Sequence, residues 1–440
     1  MKIINKEKGF TLIELLAVVT VIGILAIILI PNITKSSQRV KQKIYDTKKE
    51  TIIKASQMCK QDREDNCDMV STLLQKKYLL SDSNSTCTEN CIKNPLDNNY
   101  LDNCYVVGNV LTCGKRPKTL VKTIEDLAQN ADSNSTEVIT APSPEDSYCH
   151  NNLAYDGTVD KNLRYVGSTA CNYIYFNGTK DLWKIVGVMN NVDDGTGKLE
   201  KRVKIYRGSH LGFYSWDTSE TGAGINEWPQ SDLMKELNGD FLNTNLKTNT
   251  MWYNGLNNQK TATFNVNATL SKTDQKLIGN AKWYLGGAVR DEYKIEGQGR
   301  ASDFYTYERG TNVWGSSRNH VCTDDYCPRS TEWIGKIALL YPSDIGFAVG
   351  GSIRNDCLEK NLEDYYVNSC GIYINNALQT SSYQWLLTPN VGYGVTVFSN
   401  KLFYDGVGYK HAVHPAIYLK SEVMVLSGDG SPENPYTLAI

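Results

Sequence analysis

The chain has 440 residues, of which 41% are hydrophobic and 21% charged, with a net charge of −2. That length supports two or three folded units rather than one small domain, and that balance is ordinary for globular protein and excludes wholesale disorder. The near-neutral charge lacks the strong basic balance typical of nucleic-acid binders, so no nucleic-acid partner is expected.

The first element in chain order is a short basic stretch followed by an apolar run. Met1 to Gly9 carries Lys2, Lys6 and Lys8 against Glu7, and Phe10 to Ile30 is then almost wholly apolar. At a 1.5 Å rise per residue that run is about 31 Å long as a helix, enough to span a bilayer core. Lysines before the span hold its N-terminus in the cytoplasm and place the rest outside. A cleaved secretory signal has a shorter apolar core and a small-residue cleavage site after it; here the run ends at Pro31-Asn32 without one. A plain anchor has no use for an internal carboxylate, yet Glu14 sits four residues into the run, where a charge costs roughly 2–3 kcal/mol. Such a residue points to function.

Gly9-Phe10-Thr11-Leu12-Ile13-Glu14-Leu15-Leu16 closely resembles the cleavage and methylation signature of type IV prepilins and type II secretion pseudopilins. The resemblance implies a cut by prepilin peptidase between Gly9 and Phe10, with Phe10 becoming the N-methylated first residue. Glycine suits the cut site because the missing Cβ lets the peptide lie close to a protease backbone. The resemblance further implies that Glu14 pairs with the N-terminal ammonium of a neighbouring pilin subunit, which offsets the cost of burying either charge alone. Pro31 matches the family's helix-kinking proline, which deletes a backbone hydrogen bond.

Beyond Pro31 the helix is expected to continue to about Met58, with Ile33, Val40, Ile44, Ile52, Ala55 and Met58 on one face. Lys35, Arg39, Lys41, Lys43, Lys48, Lys49 and Glu50 occupy the others. Asp68 to Leu80 reads as a short helix with Asp68 as N-cap and Met69, Leu73 and Leu74 inward. The stretch from Leu73 to Leu80, with Asn94-Pro95-Leu96, resembles small heads of Gram-positive pilin-like proteins. Tyr105 to Leu111 reads as a hairpin turning at Gly108-Asn109, with Cys104 and Cys113 flanking it. Lys118 to Asn130 suggests one more helix, and the Ser-, Asn-, Thr- and Pro-rich Ala131 to Pro144 a linker.

From about Tyr148 the pattern becomes short apolar alternations between Gly and Asn turns. Asp181 to Met189 is a strand, Asp193 to Gly197 a turn, and Val203 to Tyr206 the return strand; Ser231 caps a short helix to Leu242. Ile334 to Tyr341, Gln384 to Leu387 and Ala416 to Leu419 are further strands. The segments Trp216-Asp217, Asn226-Glu227-Trp228, Ala338 to Asp344, Trp385 to Pro389 and His414 to Leu419 are similar to an uncharacterised module of Gram-positive surface proteins. That module is associated with the C-type-lectin-like and formylglycine-generating-enzyme-like fold group, and fold analogy confers no activity. The fold class expected is α+β: a leader at 1–9, a membrane and spine helix at 10–31, and an amphipathic helix with a small disulfide-stapled pilin-like head at 32–117. A helix and linker follow at 118–147, and a large distal domain with short strands at 148–440.

An exported chain meets an oxidising compartment, where cysteines become disulfides. Neighbour pairing is favoured: Cys59 with Cys67, Cys87 with Cys91, Cys104 with Cys113, Cys149 with Cys171, Cys322 with Cys327 and Cys357 with Cys370, although spacing alone does not fix connectivity. Zinc would need matched C-x2-C pairs, and none occurs. There is no G-x-S-x-G elbow, P-loop, dinucleotide fingerprint or H-E-x-x-H. Asp193-Asp194-Gly195 lacks the ligand spacing of a calcium loop at Val192, and His411 and His414 fall in strand context. Neither a cofactor, a metal nor catalysis is expected. Trp216, Trp228, Trp252, Trp283, Trp314, Trp333 and Trp385 are expected mostly to fill the core.

The resemblance thus implies a minor or tip pilin-like subunit displaying a large adhesin-like domain, with prepilin peptidase, other pilin subunits, the membrane and a glycan or matrix-protein ligand as partners. Its place is the membrane before assembly and the cell surface after it. A pseudopilin of a secretion or DNA-uptake machine is the alternative, and a surface-tethered enzyme a weaker one.

Overall fold

A computed structural model describes residues 12–440 except 65, 83–90, 115, 146, 177–180, 218–225, 244–250, 254–260, 264–269, 288–289, 292–293, 296–298, 311–329, 366–369, 371–374, 379–381, 390–393 and 399–400; the side chains of 12–35, 240, 251–253, 261–263, 290–291, 294–295 and 394–396 are likewise outside the description. The chain divides into two compact units, Met1–Arg116 and Pro117–Ile440, and mixes helix and strand.

The first unit is organised by helix α1 (Leu12–Gln61), which runs three residues beyond the expected end. Its buried face is Ile52, Ala55, Ser56 and Cys59, a spacing of i, i+3, i+4 and i+7 that keeps one side of the helix against the head. Val40, Ile44 and Met58, expected on that face, are instead 55%, 44% and 57% exposed. The head covers α1 only from about Tyr45 onward, which leaves Val40 and Ile44 bare, and Met58 lies one position out of phase with Cys59. Helix α2 (Val70–Gln75) buries Val70, Leu73 and Leu74. Asp68 does not cap it: Met69 holds the cap position without a side-chain bond, while the Asp68 carboxylate accepts from Arg116 at 3.0 Å. Strands β1 (Cys104–Val107) and β2 (Val110–Cys113) form the expected hairpin, Val107 opposite Val110. Gly108 takes a φ of 58° at the first turn position, where a side chain would be strained.

In the second unit, helix α3 (Leu120–Leu127) is capped by Thr119, whose side chain accepts from Lys122 N–H. It buries Leu120 and Ile124 in the same core as the distal strands. β3 (Ile139–Ala141) pairs with β4 (Asn151–Tyr155). Residues 118–147, expected as a separate helix and linker, therefore supply a core helix and an edge strand of the distal unit. The apolar residues at 120, 124 and 128 decide this, because their face is buried only against a larger core.

β5 (Leu163–Tyr165), β6 (Tyr173–Phe176), β7 (Asp181–Asp193) and β8 (Leu199–Arg207) extend the sheet. In spatial order it runs Ile337–Ala338, Ala416–Tyr418, β8, β7, β5, β4, β3, with β6 also on β7. Gly187 in β7 lies so close to β5 that a Cβ there would meet Leu163 O at 2.2 Å. β9 (Phe213–Ser215) joins a second, five-stranded sheet built on Gln384–Pro389. Helix α4 (Asp232–Glu236) starts at Ser231, which caps it as expected through Met234 N–H. Trp183, Trp216, Trp228, Trp283 and Trp385 are at most 2% exposed and form the centre of the core.

Among the described residues no helix is long and apolar enough to cross a membrane; the leader and the side chains of the apolar run expected to do so lie outside them.

Candidate functional site

The N-terminal site is carried by α1. Gly9 and Phe10 lie outside the described residues, and helical backbone begins at Leu12. Glu14 lies within that helical stretch. Pro31 lies about 26 Å further along the axis, and the helix continues through it to Gln61. The proline has no N–H for the carbonyl of Ile27, yet helical backbone persists on both sides.

A second candidate in the distal unit escaped the sequence analysis. Arg164 of β5 is 2% exposed; its Nε donates to Asp156 at 2.9 Å and its Nη1 to Asp344 at 2.7 Å. Asp344 lies in the first turn of the helix Pro342–Phe347 and also accepts from Lys204 Nζ of β8 at 2.5 Å and from Tyr341 N–H at 2.9 Å. Burial alone would raise the Asp344 carboxyl, but the Lys204 and Arg164 charges outweigh it and hold the group at about 2. Lys204 is drawn below the usual lysine range by burial, against the pull of Asp344, and packs over the rings of Tyr341, Trp283 and Tyr418. Beside it Glu308 is fully buried and accepts from both the N–H and the O–H of Ser343. Burial pushes Glu308 up to about 7 despite Arg309 at 3.5 Å.

The network adjoins a β-bulge in β7, where register shifts between Met189 and Val192 and Asn191 takes a φ of 57°. Asn190 donates to the carbonyls of Asp160 and Lys161, and Asn191 to the Asp160 carboxylate. A space of about 20 Å3, room for about one water, lies between Arg164, Ser343 and Tyr418. An open groove of about 500 Å3 sits on the other side of the bulge, lined by Tyr155, Val159, Asp160, Asn190, Asn191 and Leu199. Buried acids and bases that satisfy one another fix distant chain segments in place; the groove is open to solvent. The one sequence signal was Lys204, a cation inside the apolar alternation of Val203 and Ile205.

Residues 4–30 match the family described as the prokaryotic N-terminal methylation motif, a span that includes Gly9, Phe10 and Glu14. The N-terminal segment is that of a type IV pilin-like protein. Over 37 residues it is 60% identical to the ComG operon protein 3 homolog of Bacillus licheniformis. It is 54% identical, over 37 residues, to competence protein ComGC of Bacillus subtilis. Each match covers 8% of this chain and 38% of the relative's own length. No solved structure matches the chain.

Outside the pilin-like segment, four neighbour pairs are disulfides: Cys59–Cys67, Cys104–Cys113, Cys149–Cys171 and Cys357–Cys370. Cys91 is disulfide-bonded as well, while Cys87, Cys322 and Cys327 lie outside the described residues. His411 and His414 do not converge. His411 Nε2 meets Asp405 at 2.8 Å, and His414 Nδ1 meets the Arg207 carbonyl at 2.9 Å. Among the described residues no cluster of His, Cys, Asp and Glu could hold a metal ion.

Proposed function

We propose that this chain is a minor pilin-like subunit, cut by prepilin peptidase between Gly9 and Phe10, methylated at Phe10, held in the membrane by residues 10–30, and then built into a surface filament. The observation that carries it is the match of residues 4–30 to the methylation motif, in which Glu14 takes the place of the pairing carboxylate. The membrane and other pilin subunits are the partners that follow from that motif. The distal unit is displayed outward as a non-catalytic binding domain. The open groove beside the β7 bulge, which sets the polar Asp160, Asn190 and Asn191 beside Tyr155, Val159 and Leu199, supports a glycan or matrix-protein ligand there.

The test is chemical. The mature N-terminus should be methylated Phe10, Gly9→Val should leave the precursor uncut, and Glu14→Ala should be cut yet enter filaments poorly. A mature chain beginning beyond Asn32 would reject this reading.

One observation favours a second reading, a pseudopilin of a DNA-uptake machine: the Bacillus subtilis relative is named a competence protein, and the Bacillus licheniformis one is named for the ComG operon. Deleting the gene separates the two, because loss of transformation with adhesion intact supports the uptake role and the converse supports display.

A further inference from the structure

The segment of α1 that leaves the apolar run is a bare cationic neck. Residues 36–44 are exposed on every side, with Arg39, Lys41 and Lys43 among them, and no acid occurs between Glu14 and Asp46. Further along, Lys48 is tied to Asp82 at 2.6 Å, whereas among the described residues no ion pair engages Arg39, Lys41 or Lys43. On the reading that residues 10–30 span a membrane, these cations stand just outside it, against the general bias that collects Lys and Arg on the cytoplasmic side. A charge pattern placed against that bias calls for a partner.

Geometry selects the partner. From Ile30, Arg39 is about 13 Å and Lys43 about 20 Å along the helix axis. Helical side chains tilt back toward the N-terminus, here toward the bilayer, and long cationic side chains reach several ångströms in that direction. The headgroup layer extends roughly 5–8 Å beyond the hydrocarbon, and charge is felt about 8 Å further at physiological salt. At about 100° per residue, Arg39 and Lys43 share one side of the helix and Lys41 takes the opposite one. The cations therefore girdle the helix instead of forming a stripe along it. A girdle meets a plane that the helix pierces; a stripe would follow a strand lying along the helix.

We infer that Arg39, Lys41 and Lys43 form a collar that docks on anionic phospholipid headgroups of the leaflet from which the chain emerges, holding the subunit at the membrane before assembly. This rests on the membrane-inserted reading of residues 10–30, and the experiment separates the two. The full chain, carrying a photo-crosslinking benzoylphenylalanine in place of the exposed Val40, is reconstituted in phosphatidylcholine vesicles containing a minority of phosphatidylglycerol. Its lipid adducts are then identified by mass spectrometry. Phosphatidylglycerol adducts should exceed the bulk ratio about threefold or more, and the excess should collapse at about 1 M salt, where screening shortens to about 3 Å. Arg39→Gln, Lys41→Gln and Lys43→Gln together should return the ratio to bulk while leaving the chain inserted. Lipid adducts at the bulk ratio in the unmutated collar would overturn the docking and leave insertion standing. Adducts to a second copy of the chain in place of lipid would overturn it in favour of a subunit contact. A complete lack of lipid adducts, with the chain washed off the vesicles, would overturn the membrane reading itself and the docking with it.

Discussion

The two units of this chain solve the same problem by different means. In residues 1–116 the core is small and aliphatic, with Val70, Leu73, Leu101, Val106 and Leu111 around the inner face of α1, and disulfides staple it at Cys59–Cys67 and Cys104–Cys113. Its ion pairs, such as Lys76–Glu64 and Arg116–Asp68, stay partly exposed. In residues 117–440 five tryptophans lie at the centre, and the Arg164, Lys204 and Asp344 side chains that meet there are at most 2% exposed. Exposed ion pairs add little, and a core this small relies on covalent closure. A large one can bury charge, which then pins segments far apart in sequence but turns costly if one partner is lost.

The sharpest way to break this contrast is Asp344→Ala. It leaves Lys204 and Arg164 facing each other in the core, and roughly 3–5 kcal/mol should be lost. Hydrogen exchange on the full chain should show protection falling throughout the distal unit and unchanged in α2 and the β1–β2 hairpin. A loss shared by both units would mean that they fold as one.

A smaller effect comes from Glu308. Its folded carboxyl titrates at about 7 against an ordinary 4.5, so the folded state holds the proton more tightly. Its contribution to stability is full below about 4.5 and is lost as pH rises through about 7, roughly 3 kcal/mol in all. Glu308→Gln should flatten the denaturation midpoint between those limits and leave the acid limb in place. That limb belongs partly to Asp344, whose contribution is present above the ordinary carboxyl range and lost as pH falls toward about 2. An unchanged slope in Glu308→Gln would remove Glu308 from the network's proton balance.

What was legible in advance follows the same division. Local rules were readable: Gly108 at a turn that needs positive φ, Ser231 as an N-cap, the alternation of β7, and disulfides between near neighbours in sequence. The phase of α1 was not, because Met58 continues the apolar pattern that starts at Ile33, whereas packing set Ser56 and Cys59 against the head. The Arg164 network was not either, since its partners lie 8 and 180 residues away and no local pattern links a buried cation to an acid that distant. The N-terminal motif was the most legible part, because it is one contiguous run whose residue order alone carries the match at 4–30.

On the stapled side of the contrast, Cys104→Ser with Cys113→Ser opens the loop that spans nine residues of sequence. Loop-closure entropy at that length is worth about 2–3 kcal/mol. That is a large share of what so small a core can supply, so the first unit should lose hydrogen-exchange protection while the distal unit keeps its own. Retained protection in the hairpin would show that the apolar contacts of Val106 and Leu111 suffice.

The smallest effect tests whether α3 belongs with the distal core. Thr119 caps that helix through Lys122 N–H at 3.2 Å, its backbone bridges to Met424, and Leu120 N–H donates to the Val423 carbonyl at 2.8 Å. Thr119→Ala removes the cap and nothing else, so about 1 kcal/mol should be lost. If α3 is a core helix, that loss lowers the cooperative unfolding midpoint of residues 117–440 as a whole, because its buried Leu120 and Ile124 cannot leave without exposing the sheet face they cover. A helix in a linker would instead fray alone: exchange would quicken only at 120–127 while the distal midpoint held. The second outcome would return residues 118–147 to the separate helix and linker that their composition first suggested.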